Sequence, residues 1–350
     1  MDGGLLLGCN GRGAQASSRA HPVSLVEAPI DEQFRMVKAS GVFDYFDRLP
    51  LPEQLDAYLA AIAKYDLPVH TGSWFYRLGR DEALLAQNLR LCKEVGAACH
   101  NIMTFAQHAD GHLLTDDEIV THYLETYDAA MTLGVEPCFE LHVNMWNEDF
   151  ARVTPVARRV LAHGIPFNFN VDYSHVVFKI GNRFEQDISG VREAVESGRM
   201  VLDPFEDGSL VDEWLALGIV RWTQLRTVAP NQPMNLSHRH APGVPAGDTR
   251  QYGSYGRGIL YPATRPAPGE WHSPWHAWML EPSKEAIRKV LRHHVKTPGS
   301  RLRYLTTEMI NLPDYALGHG YDLFEQNVAC ARFIRRAWEE VKALHAAGLV

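Results

Sequence analysis

Apolar residues recur along this chain in two alternating rhythms. Short dense runs fall at residues 5–9, 42–46, 67–70, 98–105, 136–143, 166–172, 219–225 and 302–307, and each predicts a strand. Between them, apolar positions three and four apart predict helices at 31–38, 52–65, 82–95, 115–133, 149–163, 190–197, 210–217 and 282–294, with a long closing helix at 322–345. The helix boundaries carry their own signals. Pro52 opens a helix that sets Leu55, Tyr58, Leu59 and Ile62 on one face, Gly96 ends another, and Thr115-Asp116-Asp117-Glu118 is a capping box.

Strands alternating with helices predict parallel βαβ units, hence an α/β protein. Eight such units close naturally into a (β/α)8 TIM barrel, with a single domain spanning 1–350. An open doubly wound sheet is the alternative, but no Gly-rich GxGxxG fingerprint follows any strand. One stretch breaks the rhythm. Residues 227–281 are rich in proline and glycine, lack a helical period, and read as an elaborated loop insertion after strand seven. This loop carries His238, Arg239, His240, Arg250, Tyr252, Trp271 and Trp275. Indoles beside His and Arg suit stacking on a sugar or another ring, and equally suit packing the loop onto the barrel.

Charge and cysteine usage remove several classes. The formal net charge is −8, whereas a protein devoted to nucleic acid usually carries a basic face. No apolar run approaches the ~20 residues that span a membrane, and the opening MDGGLLLGCNGRG lacks the basic region of a signal peptide. Cys9, Cys92, Cys99, Cys138 and Cys330 form no CxxC pair, which points to reduced thiols in a cytoplasmic protein. No nucleic-acid or membrane partner is expected.

In a barrel of this kind the active site is built at the C-terminal ends of the strands. Strand five ends Glu140-Leu141-His142, and strand six ends Asn168-Phe169-Asn170-Val171-Asp172 with His175 just beyond. Strand seven ends Gln224-Leu225-Arg226, and strand eight ends Thr307-Glu308. Period two puts Glu140 and His142 on one face of strand five, and Asn168, Asn170 and Asp172 on one face of strand six. Taken singly, each acid suits a salt bridge or a cap. Taken together, three acids from three strands converge on one end of the barrel, and protonation or a divalent cation relieves their repulsion.

The run Phe139-Glu140-Leu141-His142, then Asn170-Val171-Asp172-Tyr173-Ser174-His175, then Thr307-Glu308, resembles the xylose isomerase-like TIM barrel superfamily. The likeness extends over nearly the whole chain, including residues 32–45 at its start. That superfamily includes sugar and sugar-phosphate isomerases and epimerases, inosose and dehydroshikimate dehydratases, C-glycoside deglycosidase catalytic subunits and endonuclease IV. The resemblance implies that Glu140, Asp172 and Glu308 bind a metal, with His175 a ligand or a neighbour of the ligands. The usual fourth ligand is a histidine ending strand seven, and here Gln224 holds that place. Either Gln224 binds through its amide oxygen, or His238 or His240 supplies the imidazole. A neutral amide ligand favours Mn2+ or Mg2+ over Zn2+, so Mn2+ is the leading expectation, with Mg2+, Co2+ and Zn2+ as alternatives.

What the resemblance implies chemically is proton abstraction beside a carbonyl of a sugar or keto-sugar, leading to an enolate. Glu140, Glu308, His142, His175 and His238 are the expected catalytic residues, and His70, Arg226, Arg250 and Trp271 the expected substrate contacts. His112, His122, His163, His293, His294 and His345 are expected to be surface or cap residues. No nicotinamide or other organic cofactor is expected. A lyase cleaving a keto-glycoside in the manner of the C-glycoside deglycosidases, or a dehydratase, shares the same first step. An endonuclease IV-type phosphodiesterase would need three zincs and more histidines, drawn from His70, His100, His175, His238 and His240. The missing strand-seven histidine and the acidic charge argue against it. A sugar-binding barrel without turnover is a third class. The expected partner is a small sugar or glycoside, within a homo-oligomer or beside a small partner subunit.

Overall fold

The computed structural model describes residues 1, 4–231, 259–271, 274–312 and 315–350. Eight parallel strands close one barrel in chain order, with the last paired back onto the first. They are β1 (Leu6–Asn10), β2 (Tyr45–Asp47), β3 (Val69–Tyr76), β4 (Cys99–Thr104), β5 (Glu136–Glu140), β6 (Phe169–Asp172), β7 (Val220–Leu225) and β8 (Tyr304–Thr307). Around them lie α1 (Ile30–Ala39), α2 (Leu55–Tyr65), α3 (Glu82–Val95), α4 (Asp116–Met131), α5 (Val153–Ala162), α6 (Ser174–Val177), α7 (Arg183–Ile188), α8 (Arg192–Glu196), α9 (Leu210–Ala216), α10 (Glu281–Lys296) and α11 (Leu323–Ala346).

The local signals act as the pattern predicts. Thr115 Oγ1 accepts from the Glu118 amide while the Glu118 carboxylate accepts from the Thr115 amide, capping α4. Gly96 ends α3 at φ +80°, a left-handed conformation that costs glycine nothing. Two stretches depart from the pattern. β3 continues to Tyr76 instead of stopping at residue 70, because its upper half, Ser73-Trp74-Phe75, pairs with β4 through Tyr76 and Thr104. After β6 the chain makes α6 and α7 before α8, where the pattern predicts one helix at 190–197. Helices this short show no period and depend on tertiary contacts. Here a buried Lys179 supplies one, lying between Glu148 at 3.3 Å and Glu185 at 3.5 Å.

The main core fills the space between barrel and helices. α11 contributes Phe324, Val328, Ala331, Ile334, Trp338 and Val341 to it, at helical spacing. Inside the barrel a separate lower layer of Tyr45, Cys99, Cys138, Trp222 and Tyr304 is closely packed. Tyr45 Oη and Trp222 Nε1 both bond to Thr306 Oγ1, at 2.8 and 2.9 Å. A Cβ at Gly8 would stand 2.3 Å from the Tyr45 ring, so this layer needs glycine there. The lower barrel is thereby filled, and ligand space is left at the upper mouth.

Two further contacts position that mouth. Asn327 of α11 accepts from the Met309 amide at 3.1 Å and donates to the Met309 carbonyl at 2.8 Å, clamping the segment just after β8. The loop after β7 returns on itself where Tyr261 N donates to the Thr227 carbonyl at 2.8 Å and Thr227 Oγ1 donates to the Tyr261 carbonyl at 2.6 Å. Ala229, Tyr261 and Leu280 make a small core there, against which Trp271, Trp275 and Met279 pack. All five cysteines are buried and free. Among the described residues no helix is long and apolar enough to cross a membrane.

Candidate metal centre

β5 ends on Glu140, β6 ends on Asp172, and Glu308 follows β8 directly. The ladder sets Glu140 opposite Asn170, Asp172 opposite Gln224, and Gln224 opposite Thr306, so these strand ends lie at one level of the barrel. One carboxylate oxygen from each of Glu140, Asp172 and Glu308 lies within 4.8 Å of the other two, and all three side chains are buried. Glu140, His142 and His175 meet the same criterion, so two imidazoles stand beside the carboxylates.

The three acids have different surroundings. Glu140 Oε2 accepts from Asn101 Nδ2, and Oε1 is buried with no hydrogen-bond partner. Among the described residues, Glu308 receives long bonds from Asn10 Nδ2 and Tyr315 Oη, both at 3.4 Å. Burial, together with the neighbouring carboxylates, pushes both glutamates well above the ordinary range. Asp172 is held well below it, since Arg226 and His175 outweigh the effect of burial. Its Oδ1 accepts from the Ser174 amide at 3.0 Å, and Oδ2 has Arg226 at 3.5 Å and His175 at 3.2 Å, at ion-pair range without hydrogen-bond geometry.

The two histidines make different contacts. His142 Nδ1 lies 2.7 Å from the Val143 carbonyl, which only accepts, so Nδ1 carries the hydrogen and Nε2 the lone pair. Arg226 Nη2 lies 3.0 Å from His175 Nδ1 and 3.2 Å from its Nε2, and Nε2 also faces Asp172 Oδ2 at 3.2 Å. The two rings stand 4.5 Å apart, centre to centre. Burial, and then His175, lowers His142 well below its usual range. Burial, and then Arg226, lowers His175 to about 4. Arg226 is buried, with Nε on Ser174 Oγ at 2.7 Å and its plane over the Tyr315 ring at 4.1 Å. Gln224 Oε1 accepts from Asn170 Nδ2 at 2.9 Å, while Gln224 Nε2 and Asn170 Oδ1 are buried without partners.

A cavity of about 200 Å³ opens onto this cluster. Asn10, Asp47, Trp74, Phe75, His142 and Glu308 are among its walls. Several expected residues stand elsewhere. His70 sits near the start of β3, four residues before Trp74, with its ring against Tyr45 of the filled lower layer. It is not brought to the site, because the strand runs on above it. Trp271 is not a wall of this cavity. It packs on Tyr261, His319 and Tyr321 at 5.8, 4.8 and 6.2 Å between ring centres. His100 turns outward to Tyr76 Oη at 2.6 Å and to Cys92 of α3. His122 is half-buried, with its ring stacked on Phe139. His238, His240 and Arg250 lie outside the described residues.

Three site residues escaped the sequence reading: Asn10, Asp47 and Asn101. The first two end β1 and β2, and Asn101 is the inward neighbour of Glu140 on β4. Applying the strand-end rule to every strand would have found Asn10 and Asp47. The donor set fits a divalent cation. Three buried carboxylates share one level, two of them are short of donors, and neutral imidazole and amide groups stand beside them.

No protein-family model matches the sequence, and no curated protein matches it by sequence. Solved structures match in fold. An L-ribulose 3-epimerase superposes with a TM-score of 0.53 at 11% identity, covering 99% of this chain and 98% of its own. The IolI protein with a bound zinc atom gives 0.51 at 12%, covering 96% and 98%. A xylose isomerase-like TIM barrel protein from Mycobacterium smegmatis in complex with magnesium gives 0.51 at 12%, covering 97% of each chain. At such identities the likeness is one of fold, and this chain has the fold of the xylose isomerase-like TIM barrels.

Proposed function

We propose that this barrel of the xylose isomerase-like fold is a divalent-metal-dependent enzyme that moves a proton beside the carbonyl of a sugar or keto-sugar, as an isomerase or epimerase. One observation carries the reading: Glu140, Asp172 and Glu308 converge, buried, within 4.8 Å at the mouth of the barrel. Glu140, Asp172 and Glu308 would hold the ion, with Gln224 as the fourth ligand once its amide turns from Asn170. When bound, the ion supplies Lewis-acid polarisation of the substrate carbonyl. Mn2+ is the first candidate, and the zinc and magnesium named for two proteins of the same fold support a divalent ion of this class.

The chain's own groups supply the proton chemistry. Glu140 and Glu308 are both raised well above the ordinary carboxylate range by burial and by their neighbouring carboxylates, which makes each a stronger proton acceptor than a free carboxylate. One of these two carboxylates would take the proton from carbon, and His142, a neutral ring with the lone pair on Nε2, would accept from a substrate hydroxyl. A proton delivered by a second group to the opposite face gives an epimer, and delivery to the adjacent carbon, with the hydroxyl proton passing to the former carbonyl oxygen, gives an isomer. Arg226, fixed by Ser174 and Tyr315, orients Asp172 and His175. The filled lower barrel keeps bulk water from below. Elimination from the same enolate would make the enzyme a lyase or dehydratase, and release of a leaving group distinguishes these. The nuclease reading loses support because His70 and His100 point away from the carboxylates.

The test is solvent exchange. Loaded with Mn2+, the protein should incorporate deuterium from heavy water beside the carbonyl of at least one of L-ribulose, D-allulose or a 3-keto-glucoside, followed by NMR. Glu140→Gln should abolish this. No exchange into any of the three with Mn2+, Mg2+, Co2+ or Zn2+ would remove the proposal.

A further inference from the structure

The three-acid cluster does not account for the whole cavity wall. A fourth buried acid lines it as well. Asp47 is the last residue of β2, flanked in the ladder by Asn10 and Thr71. Its Oδ1 accepts from Thr71 Oγ1 at 2.5 Å, which fixes the carboxyl group. Its Oδ2 is buried and has no hydrogen-bond partner. Asp47 nevertheless lines the 200 Å³ cavity, together with Trp74, Phe75, His142 and Glu308. A carboxylate oxygen closed off from water and from donors is costly to keep. Its position on a cavity wall makes a ligand the natural donor.

We propose that Asp47 is the hydroxyl-binding residue of a second subsite, accepting through Oδ2 from a hydroxyl of the substrate carbon chain away from the metal end. The inference rests on the proposed function, since it takes the ligand to span from the carboxylate cluster to β2. The cavity favours a small polyol. Its volume is below the roughly 300–1,000 Å³ of sites for drug-sized ligands. Trp74 and Phe75 give an apolar wall for the carbon face of a sugar, while Asp47 and Asn10 give polar partners for its edge. Burial pushes Asp47 up to about 7, as befits a carboxylate short of donors. Arg48 beside it is already engaged, with Nη2 on Glu27 at 3.0 Å.

The test is calorimetric titration of the Mn2+-loaded protein with L-ribulose, D-allulose and D-fructose, and with monodeoxy forms of whichever binds. In the parent protein, removing one particular hydroxyl should weaken binding about tenfold or more, the size of a lost hydrogen bond to a charged group. Asp47→Ala should weaken the full sugar by a similar factor, with Asp47→Asn intermediate, and neither should alter Mn2+ affinity. That same deoxy sugar should then bind parent and Asp47→Ala alike. Thr71→Val, which frees the carboxyl group without removing it, should give a smaller loss. A parent that binds sugar while both Asp47 variants bind it equally well would overturn the subsite alone. A parent that binds none of the three sugars would overturn both the subsite and the proposed function.

Discussion

Asn101, on β4, places its Nδ2 on Oε2 of Glu140, whose Oε1 is left buried without a partner. The same amide nitrogen touches Ser73 Oγ at 3.2 Å, so the side chain is held from two sides. A group that orients a ligand in this way typically controls metal affinity by roughly ten- to a hundredfold. Asn101→Ala should lose that much Mn2+ affinity in a direct titration, with the fold intact by circular dichroism. Unchanged affinity would mean that Glu140 needs no orienting partner.

Neutralising the three acids one at a time should give opposite signs in the metal-free protein. Glu140 and Glu308 are raised in the folded state, so their ionised forms weigh against folding increasingly as pH rises above the unfolded value. Glu140→Gln and Glu308→Gln should therefore stabilise the metal-free protein at neutral pH by about 1 kcal/mol, or roughly 2 °C. Asp172→Asn should do the reverse, by ~3 kcal/mol, because buried Arg226 loses its carboxylate. Added Mn2+ should raise the melting temperature of the parent and of none of the three. Thermal melts with and without metal decide both points, and a uniform sign across the three would contradict the electrostatic account.

Acid should weaken the fold through His100. Burial lowers this residue to about 3 from an ordinary value near 6.5. Between these values the unfolded chain binds a proton that the folded one refuses, so stability falls as pH drops from about 6.5 toward 3. The slope contributed approaches ~1.4 kcal/mol per pH unit. Above pH 6.5 both states are neutral and the contribution vanishes. Denaturant unfolding of parent and His100→Gln across this window should show the shallower acid loss in the variant. Parallel curves would mean that His100 titrates freely in the fold.

Arg226→Lys keeps the charge and loses the geometry. Lysine cannot bond Ser174 and His175 at once, nor lie flat over Tyr315 at 4.1 Å. Turnover should fall by roughly a hundredfold, the scale of losing one preorganised donor, while Mn2+ stays bound. Steady-state kinetics beside a metal assay test this. Full activity would reduce Arg226 to a counter-ion for Asp172.

The barrel was legible because each strand is a dense apolar run set between helical periods. Glu140, Asp172 and Glu308 stood out for the same reason: an acid terminating an apolar strand is expensive unless something binds it. Asn10 and Asp47 lie one residue beyond the runs at 5–9 and 42–46, and the edge of an apolar pattern blurs where a strand turns polar toward a site. The misplacement of His70 has a related cause. Once β3 is seen to continue through Ser73 and Trp74, His70 belongs to its lower half. Trp271 illustrates another limit, since composition alone does not separate a ring that meets a ligand from one that meets Tyr261 and His319.

The clamp between Asn327 and Met309 shows what the cluster depends on for completion. Glu140 and Asp172 reach their level through contacts within β4 to β7, in the middle of the chain. Glu308 reaches it only when β8 has closed against β1 and α11 has docked over the seam. The first two acids thus belong to one contiguous run of strands. The third comes from beyond the last strand, so the complete three-acid cluster exists only in a barrel whose two chain ends have met.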